Sequence, residues 1–164
     1  MDEAIFAAGC FWGVQYYFDQ VPGVLSTSAG YIGGHTEKPT YDQVCGHITG
    51  HAEAVKIIFD PERINFETLL GHFFRIHDPT QLNRQGPDIG DNYRSAIFYN
   101  NNSQKKAAQV AIADLDKAAK YKSPIVTSLE PVTAFWPAED FHQKFTQRTG
   151  RGMCHVSYAP LSVK

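Results

Sequence analysis

Basic clusters, long apolar runs and paired cysteines are all missing from this chain, and each gap removes a class of answer. Lysine and arginine total 15 against 17 aspartate and glutamate, a formal charge of −2. No stretch gathers cations densely enough to track a phosphate backbone, so nucleic acid is not an expected partner. No run approaches the roughly 18 apolar residues that a membrane span requires, and residues 1–8 lack the basic start and long apolar stretch of an export signal. A cytoplasmic setting, away from membranes, is the expectation. Three cysteines in 164 residues do not make a disulfide-stapled scaffold. Each thiol therefore asks for a chemical or packing explanation.

What is present is ordinary globular material. Hydrophobic residues make up 43% and charged residues 20%, enough to build a core and too balanced for disorder. The length suits one domain and is short for two, and no repeat or linker divides it. Residues 1–164 are expected to form a single monomeric domain.

Hydrophobic periodicity orders the elements. Residues 4–8 read as a short apolar strand broken by Gly9, and residues 11–19 as an aromatic-rich helix ended by Pro22-Gly23. Residues 24–32 suggest a second strand. Residues 51–59 alternate so that Glu53, Val55, Ile57 and Phe59 share one face. Asn65 can cap a helix whose Phe66, Leu69, Leu70, Phe73, Phe74 and His77 form one stripe. A long Gly, Pro and Asn-rich loop over residues 78–92 reads as functional.

Further along, residues 94–99 read as a strand, and residues 103–120 as a helix capped by Ser103 that buries Val110, Ala111, Leu115, Ala118 and Ala119. An edge strand over 125–129, a short helix over 138–146 and an irregular, mobile tail holding Cys154 complete the reading. The core order βαββαβ predicts an α+β fold: a two-layer, ferredoxin-like sandwich with a mixed or antiparallel sheet and helices on one face.

Cys10 is the most informative thiol. A cysteine placed where a strand stops and a helix begins lies near unpaired backbone N–H groups and the positive end of the helix dipole, which favours thiolate. Phe11 and Trp12 follow it, with Gly9 and Gly13 on either side, and two large rings beside a thiol can wall an apolar pocket. The alternative is a small buried cysteine among core aromatics.

The pentapeptide Gly9-Cys10-Phe11-Trp12-Gly13 resembles the signature of the A-type peptide methionine sulfoxide reductases. The resemblance continues in the family's order through Tyr41, Thr49-Gly50-His51-Ala52-Glu53-Ala54-Val55, His77-Asp78-Pro79, Arg84-Gln85-Gly86-Pro87-Asp88 and Tyr93-Arg94-Ser95. It implies reduction of methionine-S-sulfoxide, free or within proteins, as a repair of oxidative damage, without a cofactor or metal. That chemistry needs a thiolate on one side of the sulfoxide and a proton donor on the other, because the oxygen leaves poorly until protonated. Cys10 and Glu53 suit the two roles, since the apolar strand face of Glu53 disfavours a charged carboxylate. A solvent-facing Glu53 at a bulge is the alternative.

By the same resemblance, Tyr41 and Tyr93 hydrogen-bond the sulfoxide oxygen, Asp88 orders the site, and Phe11 and Trp12 enclose the S-methyl group. The sulfenic acid formed on Cys10 then needs a second thiol. Cys154, in a Gly-rich stretch, is implied as that resolving thiol, with thioredoxin reducing the resulting disulfide. No cysteine follows Cys154 in the sequence, which implies a single-resolver cycle. Cys45 is read as structural, with a resolving role as its alternative.

The run Cys45-Gly46-His47 departs from the family pattern, which has its glycine at the position of His47. Three competing classes remain at this point. Cys45, His47, His51 and Glu53 read as metal ligands in one, although their spacing matches no compact site and a structural His51 is preferred. A Cys-His hydrolase is the second, but no histidine is paired with Cys10 by sequence. A non-catalytic interaction domain is the third, with the aromatics as binding surface.

Overall fold

The computed structural model describes residues 1–152. Along the chain run β1 (Asp2–Ala8), α1 (Phe11–Asp19), β2 (Val24–Ile32), α2 (Tyr41–Cys45), β3 (Ala52–Phe59), α3 (Phe66–Arg75), β4 (Arg84–Gln85), β5 (Asp88–Ile89), β6 (Ser95–Tyr99), α4 (Asn102–Lys117), β7 (Ser128–Pro131), β8 (Trp136–Pro137) and α5 (Phe145–Thr149). The main sheet has the order β7-β6-β1-β3-β2-β8, and β4 and β5 form a separate hairpin. Its inner strands β6, β1, β3 and β2 pair antiparallel throughout. Joined as βαββαβ, they form the expected ferredoxin-like α+β core. β7 extends one edge in parallel and β8 the other in antiparallel, so the sheet is mixed.

The alternation of the strands sorts two cores. Phe6, Val55, Ile57 and Phe59 face the helices with Phe18, Leu69 and Phe73. Phe6 is the hub, with ring centroids 5.0 Å from Phe73, 5.8 Å from Phe18 and 5.9 Å from Phe66. The opposite face, with Ile5, Ala7, Ala54 and Phe98, is covered by Val132 and Phe135 of the return loop. Covering on both sides explains why β1 reads as an unbroken apolar run.

Local signals locate the starts of α1 and α3. Asn65 caps α3 by accepting from the Thr68 N–H at 2.8 Å. The expected Ser103 cap is displaced: Asn101 caps α4, accepting from Gln104 N–H at 2.9 Å. The helix ends earlier as well, and Val110, expected inside, is 51% exposed, while Gln104 and Ala108 are the buried residues. The single helix expected over 138–146 is instead a 3₁₀ turn (Asp140–His142) and α5, separated by Lys144 in the left-handed region at φ 56°. The edge strand lies later than expected, and α2, with a Thr40–Gln43 capping box, was not predicted. The expected irregular tail beyond residue 152 lies outside the described residues.

The departure at residue 47 has a backbone explanation. Gly46 closes α2 with ordinary right-handed angles, φ −75° and ψ −5°, so glycine is not required there. His47 takes the left-handed conformation instead, at φ 61°, where an L-residue is disfavoured by about 1–2 kcal/mol. Its imidazole lies 3.7 Å from the Asp91 carboxylate, an exposed pair of small value. His47→Gly should therefore raise stability by about 1 kcal/mol, read as a higher urea midpoint at unchanged m-value.

Candidate active site

The first strand–helix junction builds the centre of the site. Gly9, at φ 90°, turns the chain out of β1, and Cys10 becomes the N-cap of α1 with φ −53° and ψ 125°. The sulfur-bearing residue thus stands at the positive end of a helix whose first amides have no intrahelical partner. One of those amides, Phe11 N–H, donates to Glu53 Oε1 at 3.3 Å. The other carboxylate oxygen, Oε2, accepts from Asn92 Nδ2 at 3.3 Å. Cys10 is 8% exposed and Glu53 1%, so the solvent-facing alternative for Glu53 is excluded.

Two phenols belong to the same neighbourhood. Tyr41 opens α2 and Tyr93 ends the 3₁₀ turn Asp91–Tyr93. Both are held far above the ordinary phenol range, first by burial and then by the charge of Glu53. They stay protonated at any physiological pH and act as donors. Cys45 joins them: burial pushes its thiol above its ordinary value, against the lowering influence of the Tyr41 and Tyr93 phenols. Cys45 therefore lies beside the cluster, consistent with either of the two roles the sequence offers it, structural or resolving. Asp88, in β5, acts on Tyr93 through its charge. Its backbone pairs with Gln85, closing the hairpin beside the site.

Aromatic rings line the junction on the other side. Phe11 is fully buried between Tyr31, at 5.7 Å, and His142, at 5.4 Å. Trp12 is half-buried, stacked on Phe145 at 4.0 Å and 18°. Its indole N–H donates to His142 Nδ1 at 2.8 Å.

Sequence reading missed Asn92, Glu139 and His142. Glu139 Oε1 accepts from the Tyr31 hydroxyl at 2.9 Å, and Oε2 from the backbone N–H of Tyr41 at 3.0 Å. These contacts span about a hundred residues of sequence, so no local pattern signals them. The one available sign was Glu139 and His142 lying three apart beside the aromatic Phe141.

Other histidines have structural duties. His51 Nδ1 accepts from Gly34 N–H at 3.0 Å while its Nε2 faces the Thr36 carbonyl at 2.7 Å. That is the hydrogen-bonded role preferred from sequence. Among the described residues, no three His, Cys, Asp or Glu side chains are grouped to hold a metal. No helix of the described residues is long and apolar enough to cross a membrane. Cys154 lies outside the described residues.

What these groups can do together is narrow. A thiolate at a helix start can attack an electron-poor atom while a buried acid and two phenols deliver protons to oxygen, next to an apolar wall. Such chemistry defines a thiol-dependent oxidoreductase. The family model for peptide methionine sulfoxide reductase matches residues 2–164, and the chain belongs to that family.

Relatives agree. The chain is 55% identical over 150 residues to the peptide methionine sulfoxide reductase MsrA of Methanosarcina acetivorans, covering 92% of this chain and 80% of that one. The MsrA of Geobacter sulfurreducens is 49% identical over 154 residues, 94% of this chain and 95% of its own. The reduced form of Mxr1 from Saccharomyces cerevisiae superposes with a TM-score of 0.88 at 30% identity, over 97% of this chain and 92% of that one.

Glu139 gives a pH signature. Burial alone would raise its carboxyl, but hydrogen bonds from Tyr41 N–H, its own backbone and Tyr31 outweigh it and hold the group below the ordinary 4.5. A depressed acid stabilises the fold fully above its unfolded value and loses that contribution as pH falls through the folded one. Glu139→Gln should cost about 1 kcal/mol at neutral pH. Urea midpoints taken down through pH 4.5 should show that deficit shrinking; a constant deficit would refute the assignment.

Proposed function

We propose that this chain reduces methionine-S-sulfoxide, free or in polypeptides, to methionine, with residues 1–164 acting as one catalytic domain. The observation that carries the proposal is the junction itself: Cys10 caps α1 while the next amide holds the buried Glu53 carboxyl at 3.3 Å. Cys10 thiolate attacks the sulfoxide sulfur. Glu53, protonated for this step, gives its proton to the oxygen, with Tyr41 and Tyr93 donating hydrogen bonds as charge develops there. Phe11 and Trp12 wall the S-methyl group, which offers no polar handle. Asp88 steadies Tyr93 and its loop.

The protonated oxygen passes as hydroxyl from the substrate sulfur to Cys10 Sγ while the bond between the two sulfurs breaks, so that methionine leaves and Cys10 becomes a sulfenic acid. Cys154 condenses with it, releasing water and forming a disulfide. The course of the chain supports Cys154 as resolver. Gly152 packs so closely on Trp12 that an added Cβ would lie 2.9 Å from its ring. Cys154 is two residues further, a reach of at most about 7 Å. A thioredoxin dithiol then reduces the bridge. The cytoplasm, where thioredoxin keeps thiols reduced, suits such a cycle.

A second reading is favoured by the phenols: Cys45, whose thiol feels both Tyr41 and Tyr93, resolves in place of Cys154. Turnover of the separated sulfoxide epimers with dithiothreitol and with thioredoxin distinguishes the cases. Cys10→Ser should abolish reduction of the S epimer with either reductant, and turnover by this variant would sink the proposal. Cys154→Ser should complete one turnover with thioredoxin and stall, while Cys45→Ser should keep cycling. The reverse pattern transfers the resolving role to Cys45.

Gly152 extends the test. At φ 75°, with ring atoms of Trp12 and Phe145 within 3.2 Å of any Cβ, it admits no side chain without displacement. In Gly152→Ala, stopped-flow measurement should show disulfide formation slowed several-fold with the sulfoxide-reducing step preserved. Equal slowing of both steps would count against it.

A further inference from the structure

We propose that His142 is a positioning residue for substrate binding, fixing Trp12 so that the S-methyl group meets a rigid wall. The inference rests on the proposed function, in which Trp12 forms that wall. Trp12 is only half-buried, and an indole at the rim of a site is free to pivot unless held. Indole N–H is a donor and nothing else. Its partner His142 Nδ1, at 2.8 Å, therefore carries no proton, and the imidazole is the neutral tautomer with hydrogen on Nε2.

The same imidazole is packed from the other sides. Its centroid lies 4.3 Å from the Tyr41 ring, 5.4 Å from Phe11 and 4.0 Å from Phe141. One residue thus touches both proposed methyl-binding rings and one of the two proposed proton-donating phenols. Burial lowers its proton affinity against the opposing charge of Glu139, which keeps the tautomer that Trp12 requires.

The post on which His142 stands is itself anchored. Gln143 accepts from Ala29 N–H at 2.9 Å and donates to the Ala29 carbonyl at 2.8 Å. Ala29 belongs to β2, so the support runs straight into the sheet.

The imidazole also carries a cost that plain packing would avoid. His142 is 1% exposed, and its Nε2 has no hydrogen-bond partner among the described residues. A buried unsatisfied donor costs about 1–3 kcal/mol. A leucine would fill the space without that penalty, but it could not accept from the indole. The acceptor at Nδ1 is what the imidazole supplies.

Loss of that acceptor should act on binding and spare the chemistry of Cys10 and Glu53. His142→Leu should raise KM for methionine-S-sulfoxide about tenfold, the worth of one hydrogen bond plus a loosened wall, with the single-turnover rate at saturating substrate held within about threefold of wild type. His142→Gln returns an acceptor and should recover most of the KM. In a Trp12→Phe background, which has no N–H to hold, His142→Leu should add no further KM penalty.

The proposal is overturned if His142→Leu lowers the saturated rate at unchanged KM, if glutamine gives no recovery, or if the penalty persists with Trp12→Phe. Should the leucine variant not fold, the glutamine variant and the Trp12 fluorescence anisotropy, read in Trp136→Phe, decide alone. A rise in Trp12 mobility on His142→Gln beyond that of wild type would refute the acceptor role. Failure of wild type to reduce the sulfoxide would instead overturn the function on which the inference rests.

Discussion

Glu53 occupies a strand interior with 1% of its surface exposed, a placement that a carboxyl tolerates only where hydrogen-bond donors meet it. The sheet register supplies the first of them. Phe6 pairs with Val55 across β1 and β3, and continuing that register brings Ala8 level with Glu53. The chain then turns at Gly9, and the first amides of α1 arrive beside the carboxyl. Across the other neighbour, Tyr31 pairs with Glu53. A slip of one residue in either ladder would send Glu53 to the opposite face, among Ala52, Ala54 and Phe98. The site therefore inherits its geometry from the pairing of three central strands.

The groups gathered around this carboxyl share one electrostatic trend. Tyr31, Tyr41, Tyr93 and Cys45 are all raised by burial, and the charge of Glu53 adds to each. His142 is lowered by burial. The surroundings thus disfavour charge on the phenols and on His142, and the phenols remain donors. Against that background, the N-terminus of α1 is the local feature that favours a negative sulfur. Proton donors on one side and an anion-favouring cap on the other form an asymmetry suited to splitting a polar S–O bond.

Periodicity carried most of this fold, because the strands and α3 each commit one face to a core. Asn65 was readable as a cap for the same reason. Asn100-Asn101-Asn102-Ser103 offers four consecutive cap candidates, so the cap fell two residues late at Ser103, while Val110 was placed inside for its apolar side chain although the buried stripe runs through Gln104 and Ala108. Cys10 and Glu53 stood out through their junction and their strand face. Asn92, Glu139 and His142 did not, since their partners lie 39, 98 and 130 residues away. Only tertiary structure unites such groups. The left-handed His47 was visible in sequence as a missing glycine, and the backbone angle gives that departure its physical meaning.

The segment expected as one helix over 138–146 also ties two parts of the site together. Gln143 fastens it to β2, and Lys144 then bends the chain through a left-handed angle, its N–H bonded to Gln15 Oε1 at 3.0 Å and its ammonium to Asp19 at 2.6 Å. Before the bend, His142 grips the edge of Trp12; after it, Phe145 covers the ring face and Gly152 meets the ring again. Trp12 is thus held by one stretch of chain at three points. In the proposed cycle the ring that walls the substrate is also the surface along which the chain approaches Cys154. Binding of the sulfoxide and delivery of the resolving thiol therefore lean on one ring from different sides, the edge held by His142 and the side met by Gly152.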